Sequence, residues 1–103
     1  MKFLPLLLLS FNLHASCGID MLPIDTTKLT GLDMFQITDA LCNVTDSGDV
    51  IVMHKISGYW ARALVNKKEI IYLRKSDKWH VIARRNRFEI KDWERFNIPP
   101  SIR

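Results

Sequence analysis

A chain of 103 residues, 48% hydrophobic and 25% charged, has room for one small domain and is too apolar to stay disordered. A second domain is excluded by length, and a core of this size supports a net stability of only a few kcal/mol. A net charge of +4 points to an acidic or anionic partner, or to internal pairing.

In chain order, Lys2 precedes a run of apolar residues over 3–9 that continues through Phe11. The run is about ten residues long, whereas a membrane-spanning helix needs about 20. Leu13-His14-Ala15 then places a small residue in cleavage register. Residues 1–15 therefore read as a signal peptide, cut after Ala15 or Ser16, with no transmembrane anchor left after processing. The competing reading, a buried N-terminal helix, is opposed by Pro5 and by the lack of a polar face. Lipidation of Cys17 is the other alternative, but His14 stands where a lipoprotein signal wants an apolar residue. A disulfide between Cys17 and Cys42 fits an oxidising compartment better, and restricts the unfolded chain by about 3–4 kcal/mol.

Residues 16–28 form a strap, in which Pro23 opposes regular structure and Asp25, Thr26 or Thr27 offers a helix cap. A helix follows over 29–42, with Met34, Ile37 and Leu41 at spacings of three and four. Leu29, Leu32, Phe35 and Ile37 do not lie on one stripe, and Gly31 weakens the first turn, which allows a start as late as Leu32 or Asp33. From 49 to 85 the texture changes to β, with strands at 50–56, 59–65, 70–75 and 79–85 joined by short polar connections. Strict alternation puts Trp79, Val81 and Ala83 on one face and His80, Ile82 and Arg84 on the other. The pair Ala61 and Ala63 suits a surface that a helix approaches closely. Residues 90–98 form a short helix carrying Trp93 and Phe96, ended by Pro99 and Pro100. The expected fold is α+β, a single domain over 16–103. One N-terminal helix packs on a curved four-stranded antiparallel meander, followed by a short C-terminal helix.

Gly58-Tyr59-Trp60-Ala61-Arg62-Ala63, the stretch from Ile71 to Ile82 that includes Trp79, and Trp93-Glu94-Arg95-Phe96-Asn97-Ile98-Pro99 carry a resemblance. Together they resemble small exported bacterial proteins of the cystatin-like or nuclear-transport-factor-like α+β group, over roughly 30–100. That group includes inhibitors, envelope binding modules, immunity proteins and enzymes. Its enzymes place Asp, His or Tyr in a deep cone between helices and sheet, and this chain offers one substantial helix to wall such a cone.

Charge is divided unevenly. Residues 16–54 hold one basic residue and six acids, a net −5, while residues 55–103 hold thirteen basic residues and five acids, a net +8. Trp60, Arg62, Tyr72, Arg74, Trp79 and Arg84 form the candidate binding surface, facing an acidic protein or an anionic envelope polymer. The plainer reading is a solvated face that discourages strand edges from pairing. Export argues against a nucleic-acid partner. His54 and His80, without a third ligand, make a poor metal site, and no cofactor is expected. An acid/base pair of His54 with Asp49 or Asp77 is conceivable. Cys17 and Cys42 are too far apart in sequence for a redox Cys-x-x-Cys motif. Asn43-Val44-Thr45 matches a glycosylation sequon.

The functional expectation is an exported protein, periplasmic or secreted, that acts as a non-enzymatic binding module for a protein partner in the cell envelope. The alternatives are an inhibitor or immunity protein neutralising a toxin or hydrolase, and a small-pocket enzyme of the nuclear-transport-factor-like type. Mass spectrometry of the exported protein is expected to show an unlipidated chain starting at Ser16 or Cys17. Its mass should be two hydrogens below that of the reduced form.

Overall fold

A computed structural model describes residues 17–21 and 24–103. The expected leader at 1–15 and Pro23 lie outside the described residues. The elements are β1 (Ile19–Asp20), α1 (Gly31–Cys42), β2 (Ile51–Ser57), β3 (Trp60–Val65), β4 (Glu69–Lys75), β5 (Trp79–Arg85), α2 (Ile90–Arg95) and a 3-10 turn at Pro100–Ile102. The strands form one sheet in the order β1-β2-β3-β4-β5.

The sheet corrects the expected fold. It has five strands and is mixed, because β1 pairs in parallel with β2, Ile19 opposite Ile51 and Asp20 opposite Val52. The physical reason is the disulfide. Cys17 and Cys42 are joined, with their Cα atoms 5.7 Å apart, so the strap is clamped beside the end of α1 and its next residues reach the edge of β2. The helix then acts as the crossover that a parallel pair requires. The remaining neighbours are antiparallel.

Helix α1 begins at Gly31 because Thr30 caps it. Thr30 Oγ1 accepts from the Asp33 N–H, and Asp33 Oδ2 accepts from the Thr30 N–H, both at 3.0 Å. The cap thus lies beyond Asp25, Thr26 and Thr27. Asp25 instead closes a small turn by accepting from the Thr27 N–H and hydroxyl. The inward stripe is Asp33, Ile37 and Leu41, one residue each turn, and it leaves Met34 at the margin.

Alternation along the strands builds two cores. Ile37 and Leu41 of α1 pack on Ile51, Met53, Ala61, Ala63, Val65, Ile71, Leu73 and Trp79. On the opposite face Phe88, Ile98 and Ile102 pack on Tyr72 and Ala83, with Trp93 and Phe96 at the rim. Trp93 Nε1 donates to the Tyr72 hydroxyl at 3.2 Å, and Phe88 meets Tyr72 edge-on.

Two bulges decide which side chains reach which face. The β4–β5 register shifts between Tyr72 and Leu73, which pair with Ala83 and Val81. Ile82 and Ala83 both join the second core, so strict alternation fails after Val81. Ala83 therefore leaves the face of Trp79, and Arg84 turns to the α1 side. In β2 the shift falls between Met53 and Lys55 and makes His54 the extra residue. The tight connections use left-handed residues. Gly58, with φ 59°, opens the two-residue β2–β3 turn, and Asn66 and Lys67, with φ 56° and 57°, open the three-residue β3–β4 connection.

Replacing both Cys17 and Cys42 by Ser is expected to lower stability by about 3 kcal/mol in urea denaturation. Amide exchange should accelerate first at Ile19, Asp20 and their β2 partners, while the β3–β4 pair stays protected.

Candidate functional site

The residues put forward as a binding surface do not share one. Trp60, Arg62, Tyr72 and Arg74 lie on the α2 face, where Trp60 pairs with Arg74 and Arg62 with Tyr72 across β3 and β4. Tyr72 is wholly buried and Trp79 is 3% exposed, so both are core residues. Trp60 is half-buried beneath the Arg74 guanidinium, 5.7 Å from the ring centre. Arg84 lies on the α1 face. It grips Glu69 with two bonds of 2.9 Å and donates through Nη1 to the Val44 carbonyl, bracing the loop after α1.

The histidines do not meet. They sit on β2 and β5, with two strands between them. His54 is exposed in its bulge, and desolvation followed by Arg62 and Lys55 lowers its pKa. His80 Nε2 lies 2.8 Å from Asp77 Oδ1, which holds the exposed Asp77 carboxyl down at about 2, helped by Ser76. Asp49 is engaged with Asn66 and the Asp46 N–H and pairs with neither ring. Among the described residues no group of three or more His, Cys, Asp or Glu is placed to hold a metal ion.

A cleft does form between α1 and β5. Asp33 pins the start of α1 to the strand. Its Oδ1 accepts from Lys75 Nζ at 2.7 Å and from the indole N–H of Trp79 at 3.0 Å. With the Thr30 N–H on its other oxygen, the carboxyl is held far below the usual carboxylate range, Lys75 being the largest cause. Beside this anchor the helix turns Leu32 and Phe35 outward, 63% and 67% exposed, and Val44 continues the line beyond its end. Lys78, His80 and Val81 of the β5 side face them, with Trp79 at the base, across a space of about 370 Å³. Among the described residues β5 ends the sheet, so one side of its backbone is not paired with another strand there. Asn43, the sequon residue, is exposed at one end of the cleft. The arrangement can bind an apolar segment, and its chemistry is packing plus main-chain hydrogen bonding. The sequence signal for it was the failure of Leu32 and Phe35 to join the helix stripe.

Compared with known proteins, the chain matches no family model, no curated protein and no solved structure.

Asp33→Asn is expected to cost about 2 kcal/mol at neutral pH, because Lys75 and Trp79 lose a charged acceptor. Folding lowers the Asp33 pKa, so on acidification the unfolded chain takes up this proton first. The contribution is complete above the ordinary value of 3.8 and drains away as pH falls toward the folded value. Urea denaturation from neutral into acid pH should show the gap between wild type and variant closing on the acid side.

Proposed function

We propose that this protein is an exported binding module that seats a protein partner of the cell envelope in the cleft between α1 and β5. The carrying observation is the exposure of Leu32, Phe35 and Val44 in one line beside an edge strand. Each large apolar side chain left in water forfeits roughly 1.5–3 kcal/mol that burial would return. Clustered exposure of this kind marks a contact surface more often than it occurs by chance. The Cys17–Cys42 bond supports an oxidising destination, and no helix among the described residues is long and apolar enough to cross a membrane. The base of the cleft is rigid because Trp79 is buried and hydrogen-bonded, which limits the ordering cost of binding.

Site-specific photocrosslinking in envelope extract tests the reading. A photoreactive side chain in place of Phe35 is expected to give one discrete adduct, abolished by Leu32→Asp. The same probe in place of Ile90, which is 66% exposed on α2, should give none. Equal labelling from both positions, or none from either, would refute the cleft as the docking site.

A further inference from the structure

The α2 face carries a second feature, separate from the cleft. Lys55 and Arg62 are direct cross-strand partners in the β2–β3 pair. Like charges in that position repel and destabilise a sheet. The bulge adds to the crowding. Two residues of β2, His54 and Lys55, answer to one on β3, and both Lys55 and Arg62 press on the His54 ring electrostatically. Lys55 Nζ and Arg62 Nη1 converge on a single acceptor, the main-chain oxygen of Arg103, at 3.3 and 3.1 Å. Arg62 Nε is buried and has no hydrogen-bond partner among the described residues. Arg103 brings a third cation, packed over the Trp93 ring at 5.3 Å. Arg74 brings a fourth, two residues along β4 from Tyr72, the partner of Arg62. Within the described residues the Asp and Glu side chains pair with Lys75, His80, Arg84, Arg85 and Lys91, and with none of these four.

We infer that Lys55, Arg62, Arg74 and Arg103 form a site for the sulfate or phosphate groups of an anionic polysaccharide. Lys55, Arg62 and Arg74 occupy two successive rows of the sheet, and Arg103 lies over them. Diagonal neighbours there are roughly 7 Å apart, so the patch meets more than one anionic group and suits a repeating chain better than a single ion. An oligonucleotide fits less well. Tyr72 is buried, Arg74 covers Trp60 and Arg103 covers Trp93, so none of these three rings is open for a base to stack on. Bound oxyanions would add to the one Arg103 oxygen that Lys55 and Arg62 already share.

The test uses the disulfide-bonded protein at low ionic strength, with dextran sulfate as the probe and uncharged dextran as its control. Calorimetry is expected to show binding of dextran sulfate alone, with affinity falling steeply as salt rises. Lys55→Gln combined with Arg74→Gln should weaken it at least tenfold. Lys67→Gln combined with Lys68→Gln, the same charge change in the β3–β4 loop, should weaken it less than twofold. Amide shifts should concentrate at 54–57, 60–62, 74 and 103. Sulfate should raise the melting temperature of the wild type more than chloride at equal ionic strength, and this excess should vanish in the Lys55/Arg74 variant. Equal losses from both double variants would overturn the site in favour of general attraction. Tighter binding to anionic phospholipid vesicles, a single-stranded oligonucleotide or polyglutamate would overturn the polysaccharide assignment.

Discussion

A carboxylate placed out of water must be met on all sides, and Asp33 is the residue on which the geometry of the α1 face turns. One oxygen closes the helix cap with Thr30 and the other takes Lys75 and the Trp79 indole. The same group thus starts the helix, fixes it against the far edge of the sheet and satisfies the polar atom of the largest side chain in that core. Because the helix is held at that point, it cannot roll Leu32 and Phe35 inward. Their exposure follows from the placement of Asp33.

The other end of α1 is held covalently, at Cys42. Between these two fixings the helix lies across all of the antiparallel strands, with Ala61 and Ala63 beneath it. The opposite face is closed by a different means. Ile98 and Ile102 plug the sheet, and the chain after α2 is tied down by Arg62 and Lys55. One face is anchored by a buried anion and the other by crowded cations. The uneven distribution of charge along the sequence is thereby carried into space.

Much of this was legible in the sequence, and the failures have physical causes. The four antiparallel strands announce themselves through β-branched and aromatic runs, and the cysteine pairing through count and compartment. Strand β1 is two residues long, too short for any period, and its partner is chosen by a bond whose two ends are 25 residues apart in sequence. Asp33 reads locally as a capping residue. Its deeper role depends on Lys75 and Trp79, 42 and 46 residues distant. Trp79 and Tyr72 look like surface aromatics because a strand with polar neighbours does not reveal which of its faces is covered. Period-two reading placed Ala83 and Arg84 on the wrong sides because a bulge adds a residue without a sequence marker.

The position of the two cysteines has a consequence for how the molecule matures. Both precede every residue of β2 to β5. The loop they close contains the strap and helix and no residue of the antiparallel sheet, so both cysteines are in the chain before any of that sheet is synthesised. With two cysteines in the sequence there is one intramolecular pairing and no mispaired isomer to unscramble. The covalent frame thus depends on residues that precede β2 to β5, and β5, the last of those strands in the chain, is the one at the sheet's edge.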